Sequence, residues 1–340
     1  MKILPVHTKT QKQNPARLLY NDTKKSTGNR GRGFIGSHIV DELLKRKIET
    51  FVIDNLSTGS LDNLKQHDGN DLLHVKIGDA KNIGKIMADV SGVDVVFHEA
   101  AIASITRSIT EPMVVHDVNV NMSLEIMNFC VAHKIPRLVF ASSAAVYGIL
   151  KGKASELQVC RPYSPYGATK LAVEDYLSAY YQTYGLETVA LRYFNVFGAR
   201  QKLNDYSGVI TIFVNQLMNK QTPTIFGDGL QTRDFIHVKD IVHANMLAME
   251  SKNAVGEMFN VATGNATSIL ELLLTIKSVT GTGNVPHKFG PPRPGDVKFG
   301  LANAEKIVNA TGFAPKITLS DGLTDVVEHI KSKLAPEIVT

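Results

Sequence analysis

The stretch Gly31-Arg32-Gly33-Phe34-Ile35-Gly36-Ser37-His38 leads into residues 39–44, whose apolar and polar side chains recur with the period of a helix. Gly31, Gly33 and Gly36 give the spacing G-x-G-x-x-G at the start of that predicted helix. Glycines there permit a tight turn and close approach of a pyrophosphate, which then faces the free N–H groups of the helix N-terminus. The stretch therefore predicts a phosphate-binding turn; the alternative is a solvated basic loop.

A short apolar strand follows this helix, Thr50-Phe51-Val52-Ile53-Asp54, and it ends in an acid eighteen residues after Gly36. A carboxylate at that place binds the ribose hydroxyls of an adenine dinucleotide and favours NAD over a 2′-phosphorylated cofactor. The alternative for Asp54 is a turn former at a strand end. A buried strand is also expected directly before the glycines, but residues 24–30 are too polar to form it. The first strand is therefore predicted at Met1–Leu4 or Leu18–Tyr20, or it is missing.

Strands and helices alternate through the next part of the chain. Strands are predicted at 72–77, 93–98, 137–141 and 188–193, and helices at 81–90, 111–133 and 166–184. This alternation predicts an α/β fold with a doubly wound parallel sheet of the Rossmann type. Ligands of such sheets bind beyond the carboxyl ends of the strands. The polar or small residues at those ends are Asp54, Asp79, His98 to Ala101, and Ser142-Ser143.

Beyond residue 193 the alternation loosens, which predicts a smaller C-terminal α/β domain. Residues 1–193 are assigned to an NAD-binding domain and residues 194–340 mainly to a substrate domain, with segments near 234–262 returning to the first domain. Helices are predicted at 209–219, 241–250, 267–279, 303–309 and 320–331. Arg233 and Arg293 precede acids in loops, and a guanidinium binds phosphate bidentately. These loops favour a phosphate-bearing substrate, with surface salt bridges as the alternative.

The stretch Ser164-Pro165-Tyr166-Gly167-Ala168-Thr169-Lys170 places a tyrosine and a lysine about one helical turn apart, on the same face. A lysine cation beside a phenol favours the phenolate, so we expect Lys170 to lower the pKa of Tyr166. Tyr166 could then act as a general base near neutral pH. The alternative is two ordinary residues of an amphipathic helix.

Composition narrows the class of protein. With 44% apolar and 20% charged residues and no long apolar run, the chain is predicted to be globular, without a membrane span. The net charge is +5 because residues 1–32 carry +7 and the rest of the chain carries −2. The excess of basic residues therefore belongs to the N-terminal segment and gives no ground for a nucleic-acid-binding fold. Residues 5–30 are predicted to be an atypical basic insertion or leader, with an organellar transit peptide or an RNA-binding segment as alternatives. Cys130 and Cys160 lack metal-site spacing, which predicts reduced thiols, no metal and a cytoplasmic location.

Seven motifs in a fixed order resemble the extended short-chain dehydrogenase/reductase family, and within it the UDP-glucose 4-epimerase group. The resemblance runs from about Gly31 to about Leu323. The motifs are Gly-Phe-Ile-Gly-Ser-His, Val-Ile-Asp-Asn-Leu-Ser-Thr-Gly, His-Glu-Ala-Ala, Ser-Ser-Ala-Ala-Val-Tyr-Gly, Ser-Pro-Tyr-Gly-Ala-Thr-Lys, Leu-Arg-Tyr-Phe-Asn-Val-Phe-Gly and Gln-Thr-Arg-Asp-Phe-Ile-His-Val.

The resemblance implies a role for each matching residue. Tyr166 would be the catalytic base, Lys170 would hold its pKa down and contact the nicotinamide ribose, and Ser143 would share the hydrogen bond of the substrate hydroxyl. The implied cofactor contacts are the pyrophosphate loop Gly31, Gly33, Phe34, Ile35 and Gly36, the ribose contacts Asp54 and Asn55, the adenine-side Asp79, and Ala100 and Ala101. The implied substrate contacts are Asn195, Arg233, Arg293 and Asp296 for UDP, and Gly300 for the sugar.

The implied activity is NAD-dependent inversion of C4 of a UDP-sugar through a 4-keto intermediate. Dehydratases of the family carry an Asp-Glu pair where this chain has Ala144-Ala145, so dehydration is disfavoured. Gly300 stands where hexose-restricted epimerases carry a tyrosine, which implies room for an N-acetyl group as well as activity on UDP-glucose and UDP-galactose. A UDP-glucuronate epimerase or decarboxylase is an alternative.

The N-terminal segment also departs from the family. Arg30 replaces a glycine of the usual T-G-G-x-G-x-x-G motif, and the strand that should precede the motif is displaced. A catalytically silent member is therefore a further alternative. By analogy with the family, helices 111–133 and 166–184 imply a homodimer.

Overall fold

A computed structural model describes residues 33–56, 61–150, 152–201, 208–292 and 298–334. The two proposed first strands, Met1–Leu4 and Leu18–Tyr20, lie outside these residues, as do Gly31, Arg293 and Asp296. The strands are β1 Thr50–Asp54, β2 Leu73–Ile77, β3 Val95–His98, β4 Arg137–Ser143, β5 Glu187–Tyr193, β6 Asn195–Phe197, β7 Thr224–Phe226, β8 Thr232–Arg233, β9 Phe235–His237, β10 Glu257–Val261, β11 Thr267–Ser268 and β12 Lys288–Gly290. The α-helices are α1 Phe34–Lys45, α2 Ile83–Ile86, α3 Ile105–Thr110, α4 Pro112–His116, α5 Met122–Ala132, α6 Pro165–Tyr184, α7 Val209–Met218, α8 Val238–Glu250, α9 Ile269–Thr280, α10 Glu305–Thr311 and α11 Leu319–Leu334.

Parallel strands form the centre of the fold. Four of them pair in the order β10-β5-β4-β3, and β1 pairs in parallel with β2. Both faces of the four-stranded sheet are largely buried, as expected of parallel strands. On one face Val139 and Leu191 share a hydrophobic cluster with α1 and α8, and on the other Phe140 shares one with α5 and α6. Helices on both faces confirm the predicted doubly wound α/β class.

The clusters also contain β1. Val52 belongs to the cluster under α1 and α8, whereas Phe51 and Ile53 belong to the cluster under α5 and α6. The β1–β2 pair therefore lies between the same two helical layers as the four-stranded sheet.

The later elements surround a separate cluster of buried apolar residues. Phe213, Ile225, Leu272 and Leu323 belong to it, so α7, β7, α9 and α11 pack around one core. The segment β9-α8-β10 instead packs with the parallel sheet, where β10 pairs with β5. The domain boundary at residue 193 stays a prediction.

Two predicted helices differ in detail from the structure. The predicted helix 81–90 is reduced to a 3-10 turn at Ala80–Asn82 and one α-turn, α2. It contains Gly84, and glycine disfavours a helix interior by about 1 kcal/mol relative to alanine. The predicted helix 111–133 is present as α4 and α5 joined by a π-helical stretch, Asp117–Asn121.

No helix in the described part of the chain has the length and apolarity that crossing a membrane requires.

Candidate active site

Local sequence fixes the start of α6, which carries Tyr166 and Lys170. Ser164 caps the helix because its Oγ accepts a hydrogen bond from the Gly167 N–H at 3.1 Å, and Pro165 occupies the first turn. A Cβ added at Gly167 would lie 2.5 Å from the Ala145 carbonyl oxygen. Gly167 therefore permits the helix to approach the turn that follows β4, and this approach brings Tyr166 towards Ser143.

Tyr166 and Ser143 meet at the carboxyl end of β4. Burial raises the pKa of the Tyr166 phenol, and a hydrogen bond with the Ser143 side chain acts in the opposite direction. Ser143 Oγ also accepts a hydrogen bond from the Ala145 N–H at 3.2 Å, which fixes the hydroxyl at the turn. The pair thus joins a buried phenol to a positioned hydroxyl, as proton transfer with a sugar hydroxyl requires.

Lys170 lies one helical turn further and is also buried. Its Nζ donates a hydrogen bond to the Ala141 carbonyl oxygen at 2.6 Å and lies 4.5 Å from the centroid of the Phe140 ring. Burial lowers the pKa of Lys170 to about 8, and the negative charges of Glu99 and Glu174 oppose this shift.

The expectation that Lys170 lowers the pKa of Tyr166 is not met in this structure. The phenol is buried, which raises its pKa, and the opposing interaction comes from Ser143. The Lys170 ammonium is instead directed at the Ala141 carbonyl, so its hydrogen bond goes to the sheet and not to the phenol.

A buried ion pair lies beneath these residues. The Arg192 and Glu174 side chains are each 2% exposed, and Arg192 Nη2 lies 2.6 Å from Glu174 Oε2. Glu174 Oε1 accepts a second hydrogen bond from Ser142 Oγ at 2.5 Å, and Arg192 donates to the Tyr147 hydroxyl at 2.9 Å. Since Ser142 precedes Ser143 and Glu174 lies one turn after Lys170, the pair links β4, β5 and α6 directly under the site.

The start of α1 fits the pyrophosphate of a dinucleotide. Gly33 is its N-cap and supplies no side-chain cap, and no acidic residue occupies the first turn. The first N–H groups of a helix lack intrahelical partners, so this terminus can donate to an anion. Phe34, Ile35 and Gly36 form that first turn, whereas the predicted contact Gly31 lies outside the described residues.

The remaining predicted cofactor residues lie where strands end. The Asp54 carboxylate, at the end of β1, accepts a hydrogen bond from the Leu56 N–H at 2.6 Å, and Asn55 comes next in the chain. Asp79 follows β2 and accepts a hydrogen bond from the Lys81 N–H at 3.0 Å. Ala100 and Ala101 follow β3. Carboxylates and small residues at these strand ends suit an adenosine and its neighbouring phosphates.

A cavity of about 640 Å³ lies beyond β6, towards the C-terminal elements. Asn195 and Arg233, two of the predicted substrate residues, line it. Ser143 is paired in register with Tyr193, the last residue of β5. Asn195, which lines the cavity, lies two residues beyond Tyr193. The Asn195 amide donates to the Asp234 carbonyl oxygen at 3.1 Å, which fixes its orientation.

Gly300 lies against β8. A Cβ added there would be 3.2 Å from the Thr232 carbonyl oxygen and 3.3 Å from Arg233 Cδ. Any side chain at this position would therefore crowd the arginine that lines the cavity. Arg293 and Asp296 lie outside the described residues, so their role stays a prediction.

Several residues of the cavity were missed by the sequence reasoning. They are contributed by short segments far apart in the chain, and the cavity also contains Phe213, Gln216, Thr224, Phe226 and Gln231. Aromatic rings and amide side chains can stack on and hydrogen-bond to a nucleotide base. Gln231 precedes Arg233 in the motif Gln-Thr-Arg-Asp-Phe, so the motif itself was the available signal; β7 is too short for its pattern to be recognised.

Asp234 is a second missed residue, and it organises the loops around the cavity. Its carboxylate accepts hydrogen bonds from the backbone N–H and hydroxyl of Thr263 at 2.9 and 2.7 Å and from the Gly264 N–H at 2.9 Å. A longer hydrogen bond, 3.4 Å, comes from the Ala302 N–H. Asp234 therefore connects the Arg233 strand to the segment that carries Gly300.

Comparisons with known proteins agree with this geometry. The family model described as the NAD dependent epimerase/dehydratase family matches residues 28–262. A putative UDP-glucose 4-epimerase of Methanocaldococcus jannaschii is 37% identical over 304 residues, which are 89% of this chain and 97% of that protein.

Two solved structures have the same fold. The UDP-N-acetylglucosamine 4-epimerase of Methanobrevibacter ruminantium M1, in complex with UDP-N-acetylmuramic acid, superposes with a TM-score of 0.86 at 35% identity over 94% of this chain and 99% of that one. The UDP-glucuronic acid 4-epimerase of Bacillus cereus, in complex with UDP-glucuronic acid and NAD, superposes with a TM-score of 0.82 at 29% identity over 93% of this chain and 99% of that one. The names of these relatives share the 4-epimerase reaction and differ in the sugar.

Proposed function

This chain belongs to the NAD dependent epimerase/dehydratase family, and from that premise we propose that it inverts C4 of a UDP-sugar. The proposed substrates are UDP-glucose and UDP-galactose, together with their N-acetylated forms. The observation that carries the proposal is the meeting of Ser143, Tyr166 and Lys170 at one end of β4, where Ser143 is paired with Tyr193, two residues before Asn195 of the cavity.

In the proposed reaction, the ionised (phenolate) form of Tyr166 takes the proton of the sugar 4-hydroxyl, becomes a phenol, and later returns the proton. The Ser143 hydroxyl donates a hydrogen bond that favours the phenolate before this transfer and positions the sugar oxygen. A bound NAD would supply the hydride chemistry at C4. Asn195 and Arg233 would hold the UDP moiety while the 4-keto sugar turns about its phosphate bonds, which would present the opposite face of C4 to the dinucleotide. Lys170 and the first turn of α1 would hold the dinucleotide.

The turn after Ser143 favours epimerisation over dehydration within this family. Elimination of water needs an additional acid and base beside the substrate. In this chain Ala144 and Ala145 occupy the 3-10 turn that directly follows the catalytic serine, and neither side chain can transfer a proton.

The test is conversion of a panel of UDP-sugars by the purified full-length chain, with release and measurement of its bound nicotinamide dinucleotide. We expect one NAD per chain, interconversion of UDP-glucose with UDP-galactose, and interconversion of UDP-GlcNAc with UDP-GalNAc. Conversion of UDP-glucuronate alone would show that the chain is a UDP-glucuronate epimerase and not an epimerase of the proposed substrates. If the purified chain held no NAD and converted none of the sugars, it would be a catalytically silent member of the family.

Gly300 provides a specific prediction about the sugar. In Gly300→Tyr we expect the ratio of kcat/KM for UDP-GalNAc to that for UDP-galactose to fall by about 10-fold or more. The reason is that a side chain there must occupy space beside Arg233 at the cavity. Phe299→Tyr is the control, because Phe299 is the exposed neighbour. Equal loss with both sugars would show that Gly300 does not select the N-acetyl group.

We also propose that the chain forms a homodimer through the face made by α3, α4 and α6. Exposed apolar side chains lie on these helices: Ile109 is 64%, Met113 78% and Tyr184 59% exposed. In Met113→Glu we expect sedimentation velocity to show a shift from dimer to monomer, since a charge would be buried in the interface. Leu157→Glu is the control, because Leu157 is exposed on a different segment. A wild-type protein that sediments as a monomer at micromolar concentration would refute the dimer.

A further inference from the structure

Glu99 is a buried acid at the carboxyl end of β3 that the proposed reaction leaves unused. Its Oε1 accepts a hydrogen bond from the Tyr193 hydroxyl at 2.9 Å. The Asn245 amide donates in turn to that hydroxyl at 2.7 Å, so β3, β5 and α8 together fix the carboxylate. Its second oxygen, Oε2, is buried and accepts no hydrogen bond from the described residues. A buried carboxylate with one oxygen unsatisfied needs another source of stabilisation.

Glu99 lies at the same height along the sheet as the ammonium group of Lys170. In the β3–β4 ladder His98 is paired with Phe140, so Glu99 continues beside Ala141. The Ala141 carbonyl oxygen is the acceptor of the Lys170 ammonium at 2.6 Å. The carboxylate and the ammonium therefore reach the same edge of the sheet.

Other titratable groups near Lys170 do not compensate its charge in the same way. Glu174 is paired with Arg192, so its negative charge is already balanced. The buried His98 accepts or donates a hydrogen bond with Ser123 Oγ at 2.7 Å, and burial lowers its pKa to about 3, which keeps it neutral. Burial likewise keeps Tyr166 neutral in the resting site. Glu99 is thus the carboxylate near Lys170 that has no arginine beside it.

Burial acts on both members of this pair in the direction that removes charge. It lowers the pKa of Lys170 to about 8 and raises the pKa of Glu99 to about 7. Each charge opposes the effect of burial on the other, because the ammonium favours the carboxylate and the carboxylate favours the ammonium. Each group therefore helps the other to keep its charge against the effect of burial.

We propose that Glu99 is a positioning residue whose carboxylate, held by Tyr193 and Asn245, keeps Lys170 protonated at the edge of the active site. The catalytic consequence of this inference rests on the proposed function: a neutral Lys170 could no longer offer a positive charge to a bound dinucleotide. The effect on Lys170 itself is independent of the reaction and can be measured without it.

The experiment is NMR titration of Lys170 in the full-length chain labelled with ¹³C at lysine Cε, with the signal assigned through Lys170→Met. In Glu99→Gln we expect the pKa of Lys170 to fall by about one unit, because the compensating charge is lost while the size and the hydrogen-bond acceptor remain. Glu99→Asp retains the negative charge, so we expect its Lys170 pKa to lie closer to the wild-type value than that of Glu99→Gln. Glu111→Gln, at the surface beside Arg107, is the control and should leave Lys170 unchanged.

Catalysis provides a second measurement. The basic limb of the pH profile of kcat should move to lower pH in Glu99→Gln and by the same amount as the NMR titration. If the chain has no epimerase activity, the NMR shift still decides the inference and only the proposed function fails. If Glu99→Gln does not fold, Tyr193→Phe is used; it removes the hydrogen bond that stabilises the carboxylate, so the Lys170 pKa should again fall. An unchanged Lys170 pKa in the folded variant overturns the inference.

Discussion

Tyr166→Phe is expected to lower kcat for UDP-galactose by about 10³-fold, because the variant lacks the hydroxyl that takes and returns the proton. The ring stays in place, since Tyr166 is buried against neighbours that a phenylalanine also contacts. Binding of NAD and of UDP should therefore change little. Steady-state kinetics, with the nicotinamide content and UDP affinity measured on the same preparation, check this result.

Tyr163→Phe is the matched control for this variant. Tyr163 lies three residues before Tyr166, ahead of the start of α6, and is 64% exposed, so loss of its hydroxyl should leave kcat unchanged. If Tyr166→Phe kept kcat within ten-fold of the wild type, Tyr166 would not be the acid–base group. Ser143 and Lys170 would then be the next side chains at the end of β4 to test for proton exchange with the substrate.

Arg192→Met is expected to destabilise the protein by about 3–5 kcal/mol, because it leaves Glu174 as a buried carboxylate without its cation. The loss should appear as a lower thermal midpoint and as a smaller free energy of unfolding in urea. Since Glu174 also accepts the Ser142 hydrogen bond and follows Lys170 on α6, the activity that remains should fall as well.

A double variant separates the charge from the packing. In Arg192→Met/Glu174→Met we expect most of the stability to return, because a well-packed apolar pair can replace a buried ion pair at little cost. The more exposed pair of Lys239 and Asp325 is the comparison, and Lys239→Met should cost less than about 1 kcal/mol. A single variant as stable as the wild type would show that the buried pair contributes nothing to stability.

The main sheet could be predicted from the sequence because its strands are continuous apolar runs bounded by turn residues. β3, β4 and β5 are buried on both faces, and such strands need no alternation to be recognised. α6 could be predicted because its Ser-Pro start and its Gly185 end are local signals. Strands of two or three residues, such as β7 and β8, are too short for any periodicity, so the outline of the cavity could not be predicted.

The chemistry of the site depended on packing that no local pattern contains. Spacing placed Tyr166 and Lys170 on one face of a helix, but the pKa of the phenol follows from burial and from Ser143. Glu99 was visible within the motif His-Glu-Ala-Ala, yet its connection to Tyr193 and Asn245 joins segments far apart in the chain. Residues 1–32, where the sequence departs from its family, lie outside the described residues.

The central claim is that hydride leaves C4 and returns to the same carbon inside this site. The most direct measurement is to convert UDP-galactose deuterated at C4 with the full-length chain and to analyse the UDP-glucose product by mass spectrometry and NMR. We predict that deuterium remains at C4 of the inverted sugar and that no hydrogen enters from water. Loss of the label to solvent, or no UDP-glucose at all, would contradict it.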